Sequence, residues 1–388
     1  MPKHPAFFAS VCDKPLHLIF KVRKPAQVAV VKDLAKKLLW LPYQIHDSSY
    51  LMMTMPPEVE DQLVRVVNQI YDAGVRFETF EWATSGVQVS ELNLVHDLGT
   101  AIRTKLMEET GACILRRLDL TRFSSDPNPL DPNGVDNAGY QDMVGRAKLA
   151  YFILLNFVGV VDGAARGRLF DVKNTDADFS SDNVLFSVSN SEADWHTDGA
   201  SREKVYDVVS LLSIKKSAVG GQFKVSNAVN ALENLKMKLP QFLLYELLRP
   251  LPRDILENGK GRGVEGDMLT KVTRSDTILK LRLKRNAFPI FVDQGDRMKF
   301  RYMRYWIETA HRKIGWSISP LLVVAMDLLD RELNTACCFE EALDPGDMVF
   351  SNNLLIAHAR KAFEDVPPDM PRHKVRAWLQ IRAVHKIA

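Results

Sequence analysis

Two histidines, one aspartate and a pair of arginines are the residues whose types and spacing could do chemistry. His196-Thr197-Asp198 is an H-x-D motif. At a strand end, side chains two residues apart point to one face, so an imidazole and a carboxylate can grip one ion. A second imidazole from elsewhere would complete a 2-His-1-carboxylate facial triad, leaving positions open on Fe(II). With 9 histidines and 48 acidic residues in 388 positions, composition alone yields roughly one H-x-[DE] per chain. The motif therefore needs its context. His358 closes the apolar run GDMVFSNNLLIAH, where a strand–turn–strand would bury most side chains and leave an imidazole at a rim. A satisfied core histidine is the competing reading. Arg372 comes fourteen residues later and Arg376 four beyond that, beside Ala377-Trp378-Leu379. A guanidinium in such a strand is costly to bury without an anion, and its planar fork pairs bidentately with a carboxylate. An internal salt bridge to Asp365 or Asp369 is the alternative.

The elements that must position these residues change character along the chain. The first third reads as mostly helical. Leu63, Val66, Val67 and Ile70 share one helical face after Pro56-Pro57, with a stop at Asp72-Ala73-Gly74. A second helix is expected from about Leu92 to Glu109, then a short strand over Ala112–Leu118. The turn-rich Ser124–Asp136 must be loop. From Phe170 onward, strand-like runs separated by turns cover Asn183–Val188, Val205–Ile214, Gln222–Val225 and Ile278–Leu283. Helices are expected at about Met298–Arg312 and Ser319–Leu333, and strands at Asp347–Phe350, Leu354–His358 and Val375–Ile381. Short strands with Gly, Pro and Asn turns suggest a sandwich or barrel with helices outside. The expectation is an α+β, mainly β fold. Residues 1–90 would form a helical extension packed on a core of residues 91–388, with a helical insert at about 226–345, all as one structural unit.

Composition excludes several classes. Lys+Arg at 51 against Asp+Glu at 48 leaves +3, which is no footprint for a phosphate backbone, so no nucleic-acid partner is expected. The runs Lys280–Arg285 and Lys299–Arg304 read as solvated faces. The longest apolar run, Tyr151–Val161, falls short of the roughly 20 residues of a membrane span, and the N-terminus does not read as a signal peptide. Four cysteines without a C-x-x-C read as a reduced, cytoplasmic protein. No G-x-S-x-G or P-loop string occurs. The glycines at 261, 263 and 266 spell G-x-G-x-x-G, but they follow a polar stretch, so a loop is expected there rather than a dinucleotide site.

Taken in order, the motifs resemble the taurine/2,4-D dioxygenase-like (TauD/TfdA) family of Fe(II)/2-oxoglutarate oxygenases, over roughly the C-terminal 270 residues. Asp194-Trp195-His196-Thr197-Asp198-Gly199 is similar to that family's first metal motif. Val208–Ile214 with Ser217-Ala218-Val219-Gly220-Gly221 is similar to its strand and double-glycine turn. Asp344-Pro345-Gly346-Asp347, Asn352-Asn353 and His358-Ala359-Arg360 are similar to its last conserved run. The resemblance implies a double-stranded β-helix, or jelly roll, with His196, Asp198 and His358 as iron ligands and O2 as oxidant. It implies Arg372 as the partner of the distal carboxylate of 2-oxoglutarate, at the spacing of the clavaminate-synthase-like group. It also implies oxidation of an unactivated C–H in a small carboxylate or amino-acid-like substrate, with 2-oxoglutarate converted to succinate and CO2. Arg376, Glu192 and Trp195 are the candidate substrate contacts, with Glu192 facing an ammonium and Arg376 a carboxylate. One position departs: Gln222-Phe223 follows Gly221 where the family usually has an acid and then a hydroxyl that also touches 2-oxoglutarate, so another group must supply that contact. Retention of Asp198 disfavours halogenation. A non-catalytic cupin-like module that binds metal and carboxylate, and a Zn hydrolase, are the competing readings. The sequence leaves a homo-oligomer open.

Overall fold

The C-terminal strand His373–Gln380 shows how the chain sorts its residues. Val375, Ala377 and Leu379 join one apolar cluster with the helices, while Arg372, Arg376 and Trp378 face a cavity on the other side. Alternation with period two dictates this split. The same sorting separates Leu212 from Leu211 and Phe350 from Val349 in the neighbouring strands. Both faces are covered, which is why these strands read as nearly continuous apolar runs. The computed structural model describes residues 34–124, 138–163, 167–173, 190–202, 205–255, 276–365 and 371–381.

The large sheet runs in the order Met52–Thr54, Ala112–Arg116, Met348–Asn352, Val208–Lys215, His373–Gln380 and Val160–Val161. Phe170–Lys173 also pairs with His373–Gln380. All its pairings are antiparallel except the first. A smaller antiparallel sheet runs in the order Cys337–Glu341, Phe223–Asn227, Ile356–Arg360 and Ala193–His196. Ile114, Leu211 and Val349 of the large sheet share one core cluster with Val225, Phe339 and Ile356 of the small one. The chain from Ala35 onward is thus a mixed α/β unit.

The helices Pro57–Asp72, Asn93–Thr104 and Ala138–Val158 back the large sheet. The first starts on Pro56-Pro57, buries Val59, Leu63, Val66, Val67 and Ile70, and stops at Gly74, whose φ of +91° suits a glycine. The last is buried almost all round, as its weak amphipathicity requires. The small sheet is backed by Ala228–Lys238 and Pro320–Thr335. Among the described residues no helix is long and apolar enough to cross a membrane.

Three expectations change. Residues 278–283 are not a strand but part of the helix Asp276–Arg285. The alternation of Lys and Arg with Leu imitates a strand, yet Leu279 and Leu283, four apart, pack with Ala310 and Ile314 of the next helix. The helix expected from Met298 begins only at Arg304, because Arg297–Phe300 is a strand between Ala35–Lys36 and Phe291–Gln294. Nor is the run Lys299–Arg304 a solvated face. Lys299 and Arg301 are buried, and the Arg301 guanidinium lies 3.8 Å over the Phe288 ring. The strand expected at 183–188, most of the Ser124–Asp136 loop, the glycine string at 261–266 and Asp369 lie outside the described residues.

Candidate active site

His196 and His358 are directly paired across the small sheet. The adjoining pair is Arg360 with Ala193. Two steps on one strand therefore face three on the other, and the Ala193–His196 strand carries a β-bulge. A bulge re-aims side chains. Here Ala193 and His196 both line the cavity, while Trp195 turns away, donates its indole N–H to Asn334 Oδ1 at 3.0 Å and joins the core. The carbonyl of Asp194, within the bulge, lies 2.7 Å from His196 Nδ1. A carbonyl only accepts, so Nδ1 carries the proton and Nε2 presents its lone pair.

Asp198 follows in the turn after the strand. His196 Nε2 lies 3.9 Å and His358 Nε2 3.6 Å from Asp198 Oδ1. One ligand atom from each of the three residues lies within 4.8 Å of the others. His358 Nε2 is buried without a hydrogen-bond partner, a costly arrangement unless something else takes its lone pair. Burial, then the neighbouring His358, draws the His196 imidazolium pKa down to about 3, so the ring is neutral at ordinary pH. Two imidazoles and a carboxylate fit a divalent transition metal with open positions, and Fe(II) in particular.

The aspartate is held from every side. Its Oδ2 accepts from the Trp378 indole at 2.6 Å and from Arg376 at 3.1 Å. Its N–H donates to Asn353 Oδ1 at 2.9 Å, and Asn353 Nδ2 donates back to its carbonyl at 2.9 Å and to that of Tyr206 at 3.0 Å. The Tyr206 ring stacks on Trp378 with centroids 4.5 Å apart. Burial alone would raise the Asp198 pKa, but Arg376 and then His358 hold it well below the usual carboxylate range. The carboxylate is ionised; Oδ1, turned to the histidines, also accepts from Arg376 at 3.2 Å.

The opposite end of the cavity, which encloses about 140 Å³, carries cations. Arg372 is buried; its backbone N–H donates to Asp365 Oδ1 at 2.9 Å, while its guanidinium Nε has no partner. Burial, followed by Arg360 and Arg376, lowers its pKa to about 9. Arg360 is lowered to about 10 by burial and then by Arg376. Phe223 walls the cavity with its ring parallel to His358, centroids 5.8 Å apart. Met303 and Trp306 line another wall, and Arg202 stands at the exposed rim, donating to the Tyr206 hydroxyl at 2.8 Å.

The structure thus brings His196, Asp198, His358, Arg372 and Arg376 to one cavity. Arg376 is engaged by Asp198 rather than turned to open space. Glu192 is exposed and, like Trp195, does not line the cavity. Sequence reasoning assigned no role to Trp378, Asn353 or Arg360. The period-two set Arg372, Arg376 and Trp378 was the available signal for the first.

The family profile described as "Taurine catabolism dioxygenase TauD, TfdA family" matches residues 160–378, more than half the chain. No curated protein matches the sequence. Among solved structures, the chain is similar to an asparagine oxygenase in complex with Fe(II), 2S,3S-3-hydroxyasparagine and succinate, with 14% identity and a TM-score of 0.57, covering 85% of this chain and 93% of that one. It is also similar to the non-heme iron oxygenase OrfP in complex with Fe, succinate and (3R,4R)-dihydroxy-L-Arg, with 16% identity and a TM-score of 0.56 over 85% and 93% of the two chains. The same oxygenase in complex with Fe and alpha-ketoglutaric acid aligns with 15% identity and a TM-score of 0.54, covering 85% and 94%.

Proposed function

Since this chain belongs to the TauD/TfdA family, we propose that it is an Fe(II)- and 2-oxoglutarate-dependent oxygenase acting in the cytoplasm on a small carboxylate or amino-acid-like substrate. Its two facing sheets would be the halves of a double-stranded β-helix. The observation that carries this reading is the buried Nε2 of His358, which lacks a hydrogen bond and faces Asp198 Oδ1 and His196 Nε2.

His196, Asp198 and His358 would hold Fe(II). Together with 2-oxoglutarate and O2, bound iron supplies the power to oxidise an unactivated C–H, the cosubstrate leaving as succinate and CO2. The protein's part is positioning and dryness. The Asp194 carbonyl fixes the His196 tautomer, and Trp378 with Arg376 fixes the carboxylate of Asp198. Arg372 would take the distal carboxylate of 2-oxoglutarate, its fork orienting both oxygens at once. Phe223, Met303 and Trp306 keep water from the reacting centre, and Arg202 at the rim offers a cation to a substrate carboxylate.

Anaerobic addition of Fe(II) and 2-oxoglutarate is expected to give a visible charge-transfer band. Admitting O2 with a panel of amino acids and small carboxylates is expected to release succinate in step with an oxidised product. A band without succinate for any of them would leave a binding module, and hydrolysis supported by Zn(II) without 2-oxoglutarate would leave a hydrolase.

A further inference from the structure

Tyr206 stands between the mouth of the cavity and Asp198, and it is tied to both. The residue is buried. Its hydroxyl accepts from Arg202 at the rim, 2.8 Å away. Its ring lies flat against the Trp378 indole, the two planes 3° apart, and that indole is the donor to Asp198 Oδ2 at 2.6 Å. Its carbonyl accepts from Asn353 Nδ2 at 3.0 Å, the nitrogen that also donates to the Asp198 carbonyl. One residue thus reaches the aspartate by two routes, one through side chains and one through the backbone. A Cβ on Gly199 would stand 3.6 Å from the Tyr206 ring, so the ring also packs on the turn that carries Asp198. Tyr206, Val209 and Trp378 form a small apolar cluster with Phe170, separate from the two cores that join the sheets to their helices. Stacked aromatic rings prefer a narrow range of geometries. An indole N–H that must point at one oxygen needs that restriction.

We propose that Tyr206 is a positioning residue for the metal-binding carboxylate: its ring holds the Trp378 indole on Asp198 Oδ2, while its carbonyl and Asn353 hold the backbone of the same aspartate. The inference rests on the function proposed above. Duties divide by group. The ring and the carbonyl serve Asp198, and the hydroxyl serves the mouth by holding Arg202. A carboxylate restrained at one oxygen and along its backbone presents Oδ1 to an ion with little freedom left to lose on binding.

The test reads metal affinity in the full chain, with Fe(II) titrated anaerobically against a chelator of known affinity. Tyr206→Leu is expected to weaken Fe(II) binding about tenfold, as for other groups that orient metal ligands. Tyr206→Phe, which restores the ring, is expected to stay within about threefold of the parent. The double variant decides between positioning and packing. Because the Tyr206 ring acts on Oδ2 through the indole, adding Tyr206→Leu to Trp378→Phe is expected to cost no more than about threefold beyond Trp378→Phe alone. Independent losses would instead multiply to about a hundredfold. Should Tyr206→Leu fail to fold, Tyr206→His keeps a smaller flat ring and carries the same cycle with a smaller loss. Unchanged Fe(II) affinity in the variant that folds, a loss that Tyr206→Phe shares in full, or multiplying losses in the pair would each overturn the inference. Failure of the wild-type protein to bind Fe(II) at all would instead defeat the functional reading beneath it.

Discussion

The two ends of the cavity differ in how their charges are satisfied. At the histidine end the one carboxylate has a partner for each oxygen and for its backbone: Trp378, Arg376 and Asn353. At the arginine end, buried guanidiniums gather around a phenylalanine and Arg372 Nε is left without a partner. Around Asp198 the first is a closed network, with His358 Nε2 beside it left without a hydrogen bond. The second gathers like charges and leaves an N–H of Arg372 unused.

This contrast can be broken most sharply at Asp198. Asp198→Ala removes the partner of a half-buried Arg376 and a proposed metal ligand together, so unfolding free energy is expected to drop by about 2–3 kcal/mol and stoichiometric Fe(II) binding to vanish. Urea denaturation and anaerobic metal titration read these out. Arg372→Met is expected to behave oppositely in the unliganded protein, leaving urea stability within about 1 kcal/mol of the parent or above it. Its 2-oxoglutarate affinity should fall about 30-fold or more. A destabilisation matching that of Asp198→Ala would erase the distinction between the two ends. Trp378→Phe keeps the stacking on Tyr206 and loses one hydrogen bond to Oδ2, so Fe(II) affinity should fall about tenfold, as for other groups that orient metal ligands. Competition against a chelator of known affinity measures it.

The smallest effect belongs to the outer face of the same strand. His373 Nε2 donates to Asp171 Oδ1 at 2.7 Å, and Nδ1 accepts from the Tyr140 hydroxyl at 2.9 Å. Burial lowers the His373 pKa despite Asp171. The unfolded chain therefore takes up a proton below about pH 6.5 that the folded one refuses, and stability declines as pH falls through that window. His373→Gln is expected to flatten part of the slope of urea stability between pH 7 and 5. The Asp171 carboxyl, held low mainly by His373 and Lys148 against its own burial, works in a lower window. Its contribution is present above about pH 3.9 and fades as pH falls further.

Much of the cavity could be read from residue types. His196, Asp198, His358 and Arg372 stand together because each is a polar residue in an apolar setting, and such residues need a reason. Helices with strong stripes, such as Pro57–Asp72 and Pro320–Thr335, were equally legible. Legibility failed where local pattern and tertiary packing disagreed. Residues 280–285 alternate like a strand, yet only the i, i+4 pair Leu279 and Leu283 finds a partner surface. Trp195 stands beside His196 in sequence but serves another face, because a bulge is invisible to a count of alternation. Trp378 and Asn353 stand 155 or more residues from Asp198 in the chain, and no local signal reports such partners.

That bulge also limits how the protein can change. One surplus residue between Ala193 and His196 lets adjacent side chains do unrelated work, the indole fastening the helix Pro320–Thr335 and the imidazole reaching inward. Shortening the segment by a single codon would leave every side chain chemically intact yet exchange their destinations. The small sheet would then have to give up either its mechanical fastening or its inward-facing imidazole.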